Sequence, residues 1–316
     1  MYGAGLKKLL IALGGNALLN ADDEQTYANQ YANISIAAKH MARLISKNRG
    51  ARLIITHGNG PQVGDEFLRN LYASSKIKSL PFHIINAETQ SFIGSMLETA
   101  LRLQLAGLGV DREIAMVLTH AIVDRNDTAF HRPTKPIGPL YTKSQLSAEL
   151  KAEKFSYVNV GDKFRRVVAS PAPIGILEEY SIRSLFDNGT IVIAGGGGGI
   201  PVYTDRRAGI RYANPSVIDK DLTSQLIASS VGAEQMAILT NVDYVYRDVR
   251  DHSTAIKTTD VRTLKKMMDS FGEGTMRPKV EACIDFIKRG GITAHIGKLE
   301  AIDGVVAGTS GTVITG

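Results

Sequence analysis

Three strand-like apolar runs each break directly into a glycine-rich turn, at residues 9–17, 53–64 and 190–202. The last turn contains five consecutive glycines, Gly195 to Gly199. Glycine has no Cβ atom, so such a stretch is not expected to pack a core, but it can adopt positive φ and bring backbone N–H groups close to a ligand. A helix that follows adds the partial positive charge of its first turn. Three such turns in one chain indicate a protein that binds phosphate or another compact anion.

Strand-like and helix-like segments alternate along most of the 316 residues. Hydrophobic spacing predicts strands at 9–13, 52–56, 114–119, 191–194, 236–240, 292–296 and 312–315. It predicts helices at 22–48, 63–73, 88–106, 180–187, 222–230 and 279–289, the last with Pro278 as its first residue. Repeated βα units are typical of a parallel sheet with helices on both faces. We therefore expect an α/β fold, a three-layer α/β/α sandwich with a mostly parallel central sheet and a small protruding lid subdomain.

Residues 126–173 interrupt this alternation. They begin with a proline-rich loop at 132–139 and continue with a short predicted helix at 143–151. Two strand-like runs then flank Gly161 and Asp162, which predicts a hairpin. A small excursion between proline hinges is typical of a lid, although its shape alone fits a surface insertion equally well. We expect an N-terminal lobe at 1–189, with the lid inserted at about 126–173, and a C-terminal lobe at 190–316.

Charge and hydropathy restrict the classes of partner. Lysine and arginine exceed aspartate and glutamate by 37 − 31 = 6, and the basic residues are scattered along the chain. This distribution disfavours a nucleic-acid surface and favours a few lysines in a cleft for an anionic small molecule. No apolar run reaches membrane-spanning length, and the N-terminal residues are interpreted as the first strand rather than as a signal peptide. We expect a soluble cytoplasmic protein with neither a nucleic-acid nor a membrane partner.

Several known binding motifs do not fit the chain. No glycine run is followed by Gly-Lys, which excludes a P-loop. The segment from His57 to Gly64 has a Gly-x-Gly spacing after a strand, but Val63 stands where a dinucleotide fingerprint needs its third glycine, so a dehydrogenase is a weak alternative. The histidines have no metal-ligand spacing, and no nucleophile elbow is present. The single cysteine, Cys283, is expected to be a buried helix residue.

Three lysines are the candidates for binding the anion. Lys220 lies between Asp219 and Asp221 at a predicted helix start, where Asp221 is interpreted as the helix N-cap. Lys279 stands in the first turn of a helix, where the helix dipole disfavours a cation unless it has a negative partner. Lys135 lies on the lid. A lysine about 4 Å from a phosphate, at an effective dielectric of about 20, contributes on the order of 4 kcal/mol before desolvation. The alternatives are a surface ion pair for Lys220 and a solvated side chain for Lys135.

Six segments together resemble carbamate kinase, a branch of the amino-acid kinase family, and they occur in the right order along nearly the whole chain. The most specific are Pro-Thr-Lys-Pro-Ile-Gly-Pro at 133–139 and Val-Ile-Asp-Lys-Asp at 217–221; the others are 13–17, 57–64, 196–202 and 276–279. The resemblance implies the amino-acid kinase fold and reversible phosphoryl transfer, carbamoyl phosphate + ADP ⇌ carbamate + ATP. It also implies Mg²⁺ held by the nucleotide phosphates, with no metal ligand assigned to the protein, and a homodimer.

The resemblance implies roles for individual residues. Lys135 would reach the substrate from the lid, and Asp219 would orient the lysines. Lys220 and Lys279 would bracket the transferring phosphate. The carbamate and the phosphoryl group would be held by Gly14, Gly15, Asn16, Gly58, Asn59 and Gly60. The nucleotide, ADP or ATP, would lie near Gly196, Gly197, Gly198, Thr240, Asn241, Val242, Asp243, Tyr244 and Met276.

Two further functional classes stay open. N-acetylglutamate kinase and its relatives resemble this chain, but they have a lysine just before the first Gly-Gly. In this chain Leu13 intervenes before Gly14, and the position that corresponds to the lysine is Ala12. A kinase of the same fold with a different carboxylate or phosphate acceptor is therefore an alternative, which Ala12 and Lys135 disfavour. A non-catalytic nucleotide-binding sensor is the other alternative, and the retention of all three lysines disfavours it.

Overall fold

The computed structural model describes residues 7–15, 24, 26–145, 156–213, 215–271 and 276–316. Its α-helices are α1 (Tyr27–Lys47), α2 (Gly60–Ala73), α3 (Phe82–Gly107), α4 (Glu179–Asp187), α5 (Lys220–Ser230), α6 (Val261–Met267), α7 (Met276–Lys288) and α8 (Ile302–Ala307). Its strands are β1 (Lys8–Leu13), β2 (Arg52–His57), β3 (Ile114–Met116), β4 (His120–Val123), β5 (Lys135–Tyr141), β6 (Ser156–Val160), β7 (Lys163–Val168), β8 (Pro173–Ile176), β9 (Ile191–Ile193), β10 (Ile200–Asp205), β11 (Gly209–Tyr212), β12 (Gln235–Thr240), β13 (Val245–Tyr246), β14 (Ala255–Ile256), β15 (Thr258–Asp260), β16 (Thr293–Lys298) and β17 (Thr312–Thr315).

The central sheet has the strand order β15-β17-β16-β12-β1-β2-β9-β3. Every neighbouring pair in it is parallel except β16 with β17. In the middle of the sheet, Leu13 at the end of β1 lies opposite both His57 of β2 and Leu239 of β12. The carboxyl ends of β2, β1 and β12 therefore meet at one edge, which is where open α/β sheets bind ligands. The prediction of a mostly parallel central sheet is confirmed.

Alternate residues of β1 pack into two separate cores on the two faces of the sheet. Leu9 and Ile11 belong to a cluster that includes the buried faces of α1, α3 and α8. Leu10 and Ala12 belong to a second cluster with residues of α4, α5 and α7. Burial on both faces explains why β1 reads as a continuous apolar run rather than an alternating one. The three-layer α/β/α sandwich is thus confirmed.

Two smaller sheets lie outside this sandwich. The strands β5, β7 and β6 form an antiparallel three-stranded sheet inside the predicted lid. Its hairpin turns at Gly161, with Val160 paired to Lys163 as predicted. The other sheet, in the order β11-β10-β4-β8, is not anticipated by the sequence. Most of the predicted lid helix at 143–151 falls outside the described residues.

The lid sheet packs directly on α2 through two glycines. A Cβ atom added to Gly64 of α2 would lie 2.0 Å from the Cα atom of Gly138 in β5, so the two backbones are in direct contact. Beside them, Val63 and Ile137 share an apolar cluster. The guanidinium of Arg166 in β7 lies 3.7 Å from the centre of the Phe67 ring. The lid therefore lies against the helix that follows the second glycine turn.

Some predicted boundaries are wrong. The helix α3 begins at Phe82 rather than at 88, and α7 already includes Met276, so Pro278 is inside its first turn and not its first residue. The strand β9 pairs with β2 and β3, so strands of both expected lobes share one sheet, and the division at 189 stays a prediction. Within the described ranges, no helix combines the length and the apolar character needed to cross a lipid bilayer.

Candidate active site

The first two glycine turns lie side by side at the carboxyl edge of the sheet. The N–H of Gly14 donates to the carbonyl of Leu239 at 2.9 Å, and a Cβ atom at Gly14 would lie only 2.7 Å from that oxygen. A Cβ atom at Gly58 would lie 3.9 Å from the Cα atom of Gly15 and 3.8 Å from Cδ of Lys220. The structure therefore brings three of the predicted glycines together beside one of the predicted lysines.

The second glycine turn continues into α2. Asn59 occupies the N-cap position of this helix, and the exposed Gly60 is its first residue. The side chain of Asn59 is buried and contacts α3 rather than its own helix. Asn16, the remaining residue expected at the substrate, lies outside the described residues.

Two of the three lysines converge on one buried carboxylate. Lys220 Nζ lies 2.5 Å from Oδ1 of Asp221, and Lys279 Nζ lies 2.8 Å from Oδ2 of the same group. The exposed fraction of the side chain is 10% for Lys220, 12% for Lys279 and 3% for Asp221. Asp221 thus joins the start of α5 to the start of α7. The two lysines that were expected to bracket the transferring phosphate lie together on this carboxylate.

The third lysine has a separate partner. Lys135 Nζ, at the beginning of β5, lies 2.5 Å from Oδ2 of Asp219. Three ammonium groups and two carboxylates leave a formal charge of 3 − 2 = +1 in this cluster. Lys135 is the most exposed of the three lysines, so it is the one that the lid presents to solvent.

Burial and ion pairing act against each other at these groups. Burial lowers the pKa of Lys220, because the charged form loses solvation. Burial also opposes ionisation of Asp221, yet the ammonium groups of Lys220 and Lys279 outweigh it and lower the pKa of this carboxyl. For Lys279, the attraction of Asp221 overcomes the cost of burial and raises the pKa. Asp221 therefore favours the charged form of both lysines in a site that is largely closed to water.

The interpretation of Asp221 as the N-cap of α5 is wrong. Asp219 is the N-cap, and its Oδ1 accepts a hydrogen bond from the N–H of Asp221 at 2.9 Å. Its other oxygen contacts Lys135. Of the three lysines that Asp219 was expected to orient, it contacts Lys135. The two buried lysines contact Asp221 instead. The signal available in the sequence was a second carboxylate within one turn of the same helix start.

The five-glycine turn is buried, which corrects the expectation that a stretch without Cβ atoms does not pack a core. Gly197, Gly198 and Gly199 all have positive φ. A Cβ atom would lie 2.7 Å from Nε2 of His57 if added to Gly196, and 2.4 Å from the carbonyl oxygen of Ile218 if added to Gly198. The turn is therefore packed between the end of β2 and the start of α5. Its contact with a nucleotide stays a prediction.

The other residues expected at the nucleotide follow β12. Thr240 ends this strand, beside the carbonyl of Leu239 that binds Gly14. In the partly exposed segment that follows, Asp243 pairs with Lys298 at 3.1 Å. The remaining members of this segment are Asn241, Val242 and Tyr244. Met276 is half-buried at the start of α7, one turn before Lys279, and packs against the second core.

Two further groups at the site are neutral by burial. Burial lowers the pKa of His57 to about 4, and its Nδ1 lies 3.1 Å from the carbonyl of Gly58. Cys283, one turn after Lys279 on α7, is fully buried as expected, and burial raises the pKa of its thiol. Neither side chain adds charge to the cluster near neutral pH.

The fold is that of an α/β protein, and three lysines and two carboxylates pair beside the glycine turns at one edge of its sheet. The chain belongs to the amino acid kinase family, whose sequence profile matches residues 7–298.

Similar proteins and solved structures include carbamate kinases, in agreement with the resemblance of the sequence motifs. The carbamate kinase of Staphylococcus epidermidis is 38% identical, over 98% of this chain and 100% of that protein. The carbamate kinase of Haemophilus influenzae is 40% identical, over 98% of this chain and 96% of its own length. A structure of Giardia lamblia carbamate kinase bound to AMP-PNP superimposes with a TM-score of 0.89 at 32% identity and covers 99% of both chains. The resemblance to carbamate kinases is thereby confirmed.

Proposed function

We propose that this protein is a carbamate kinase, which catalyses carbamoyl phosphate + ADP ⇌ carbamate + ATP. The single observation that carries the proposal is the convergence of Lys220 and Lys279 on Asp221, next to the glycine backbone of Gly15 and Gly58. Relatives that are named carbamate kinase match along essentially the whole chain, which supports the choice of reaction.

The reaction transfers a phosphoryl group between two negatively charged molecules. Its transition state spreads negative charge over the moving group, so catalysis depends mainly on positioning and on neutralising that charge. Lys220 and Lys279 supply two ammonium groups that Asp221 holds in place, and their donors are largely screened from water. Because the local dielectric is low, each fixed charge acts more strongly than it would in solution.

The glycine turns hold the acceptor end of the substrate. Gly14, Gly15, Gly58 and Gly60 present backbone at the sheet edge, and α2 directs the positive end of its dipole there. Lys135 contacts the same molecule from the lid. The nucleotide lies on the other side of the lysines, along Thr240 to Tyr244 and Met276, where the chain departs from β12 and enters α7.

Magnesium enters this site with the nucleotide. Mg²⁺ is usually bound through one or two carboxylates together with substrate phosphates. Asp219 and Asp221 already contact lysine ammonium groups, so the phosphate oxygens fit the metal better than these side chains do. When bound, the ion neutralises phosphate charge. We extend the proposal to a homodimer, which size-exclusion chromatography with light scattering would test, and to a cytoplasmic location, which cell fractionation would test.

The test is the formation of ATP from ADP and carbamoyl phosphate in the presence of Mg²⁺, followed by a luciferase assay. Acetyl phosphate in place of carbamoyl phosphate, and ATP with N-acetylglutamate or UMP, measure whether another acceptor is preferred. We expect ATP to form with carbamoyl phosphate, and Lys279→Ala to lower the rate on the order of 10²-fold or more. A folded protein that binds ADP and forms no ATP would instead be a nucleotide sensor.

A further inference from the structure

We propose that Asn86 and Thr89 of α3 are positioning residues that hold the side chain of Asn59 away from the start of α2. The first turn of α2 then keeps its N–H groups free for the substrate anion. The inference rests on the proposed function, since it assigns this anion to carbamoyl phosphate or carbamate.

The contacts of Asn59 are unusual for a residue at an N-cap position. An asparagine there normally accepts a hydrogen bond from the N–H of the second or third helical residue. Here the helix has no side-chain cap, and Nδ2 of Asn59 donates to Oδ1 of Asn86 at 2.9 Å and to Oγ1 of Thr89 at 3.0 Å. The exposed fractions of these side chains are 4%, 0% and 3%, respectively. Asn59 is therefore fixed in the interior.

The orientation of the Asn59 amide follows from its partners. The hydroxyl of Thr89 donates to backbone carbonyls of its own helix, to Ile85 at 3.1 Å and to Asn86 at 3.0 Å. Its lone pairs are thus left to accept from Asn59. A threonine and an asparagine on successive turns of α3 hold both hydrogens of one amide group, so the side chain has a single favourable orientation.

The five-glycine turn holds Asn59 from the opposite side. A Cβ atom on Gly197 would lie 2.2 Å from Cγ of Asn59, so a bare backbone is required at this position. The turn is itself tied to α3, because Nδ2 of Asn86 donates to the carbonyl of Gly199 at 3.4 Å. The glycine turn and the polar face of α3 form two sides of one holder for Asn59.

This arrangement leaves the start of α2 open. Val63 makes the first hydrogen bond of the helix, to the carbonyl of Asn59 at 2.9 Å, and Pro61 has no N–H. The N–H groups of Gly60 and Gln62 carry no side-chain cap. The preceding Gly58 lies against the Lys220 side chain, so the uncapped turn is next to the lysine cluster. Helix starts of this kind bind anions.

Thr89→Val and Thr89→Ser are the matched test. Valine has the shape of threonine but removes the acceptor, whereas serine keeps it. We expect Thr89→Val to raise KM for carbamoyl phosphate about fivefold to tenfold, with KM for ADP within about twofold of the wild type. Thr89→Ser stays near the wild type, and Asn86→Ala changes the same constant in the same direction as Thr89→Val. A merely structural role would lower thermal stability and leave both KM values unchanged.

Crystal structures of Thr89→Val and Asn86→Ala give a result that does not need activity. We expect the Asn59 side chain to turn and accept from the N–H of Gln62. If Asn59 keeps its place and KM for carbamoyl phosphate does not change selectively, the inference is overturned. If Thr89→Val does not fold, Asn86→Ala decides by the same criteria. A wild-type protein without carbamate kinase activity refutes the proposed function, while these structures still test the positioning of Asn59.

Gly197→Ala and Gly209→Ala test the other side of the holder. Both substitutions add a methyl group at positive φ, of +60° and +71°, but a Cβ atom at Gly209 meets nothing within 4 Å. We expect only Gly197→Ala to raise KM for carbamoyl phosphate. Equal effects of the two variants would show that backbone strain alone is responsible and would count against the inference.

Discussion

Lys279 Nζ donates to Oδ2 of Asp221 across 2.8 Å, although the two residues lie 58 positions apart in the chain. The contact joins the first turn of α7 to the first turn of α5, and Asp221 accepts from Lys220 through its other oxygen. Breaking a buried ion pair leaves an uncompensated charge, which costs more than the pair itself contributes. Asp221 is therefore the residue on which the charge state of the site depends.

Asp221→Asn removes the charge and keeps the shape. We expect kcat to fall about 10²-fold, which corresponds to about 2.7 kcal/mol of transition-state stabilisation. Burial already lowers the pKa of Lys220. Without the carboxylate this pKa falls further, so Lys220 loses its proton earlier as the pH rises. The activity of the variant should therefore decrease, with rising pH, at a lower pH than that of the wild type. A pH–rate profile measures both effects.

The control for this variant is Asp285→Asn, on α7. Asp285 is half-exposed and lies 3.6 Å from Lys288, so its ion pair is expected to contribute little. Its pH–rate profile should match that of the wild type. A profile of Asp221→Asn that also matched the wild type from pH 6 to 9 would remove Asp221 from the mechanism.

Each of the three lysines is expected to contribute to kcat. Lys135→Ala, Lys220→Ala and Lys279→Ala each remove an ammonium group from the charge that develops on the moving phosphoryl group. We expect every one of them to lower kcat on the order of 10²-fold or more in steady-state assays. Lys47→Ala, which removes an exposed partner of Asp303, is the control. Near-normal rates in all three site variants would mean that the roles are assigned wrongly.

Two buried histidines make stability depend on pH. Burial lowers the pKa of His57 and of His295 from 6.5 to about 4. The unfolded chain binds these protons first as the pH falls, so the free energy of unfolding decreases between about pH 6.5 and pH 4. At about 1.4 kcal/mol per pKa unit, each histidine contributes at most roughly 3 kcal/mol to this loss. Urea unfolding at pH 7 and pH 4.5 measures the decrease.

His295→Gln separates the contribution of one histidine from that of the other ionisable groups. The amide can still reach Thr293, which His295 contacts through Nε2 at 3.0 Å, but it does not titrate. We expect a smaller loss of stability between pH 7 and pH 4.5 in this variant. An unchanged loss would show that His295 is already protonated in the folded protein at pH 4.5.

Gly64→Ala tests the contact between α2 and the lid. Alanine in a helix is favoured over glycine by about 1 kcal/mol, but overpacking costs about 1–3 kcal/mol. Because the new methyl group would lie 2.0 Å from the Cα atom of Gly138, we expect a net loss of stability and about a tenfold decrease in kcat/KM. Gly107→Ala, in α3 with nothing within 4 Å of its Cβ position, should be neutral or stabilising. Thermal unfolding and steady-state kinetics compare the two; a stabilised Gly64→Ala would show that the lid moves away without cost.

The inner strands of the central sheet, such as β1 and β2, could be predicted because they are buried on both faces and are therefore apolar runs. The edge strand β15, Thr258–Asp260, was missed because it is short and polar. The four-stranded sheet could not be predicted, since β4 and β8 have only four residues each and β8 contains Pro173 and Gly175. Such short strands form through their neighbours rather than through a periodic pattern of their own. The start of α3 was missed because buried polar residues, Asn86 and Thr89, interrupt the apolar pattern between Ile85 and Ile93.

The lysines could be predicted because charged residues next to glycine turns are conspicuous in a sequence. The different contacts of Asp219 and Asp221 could not be predicted, because they depend on which of the two carboxylates caps the N-terminus of α5. The polar holder of Asn59 was also missed. The sequence does contain a signal for this buried polar cluster. Asn86 and Gln90 precede Ile93 at helical spacing, so they lie on the same buried face of α3 as Ile93.

The contact between the lid and α2 has a mechanical consequence. Arg166 of the lid is buried over the ring of Phe67, within the same patch where Gly138 meets Gly64. Lifting the lid would uncover a guanidinium group, an aromatic face and an apolar seam at once, so we expect it to open as a whole and not by gradual fraying. The helix beneath it starts at the substrate turn. We therefore expect opening of the lid to be coupled to movement of α2, whose first turn is proposed to bind the substrate.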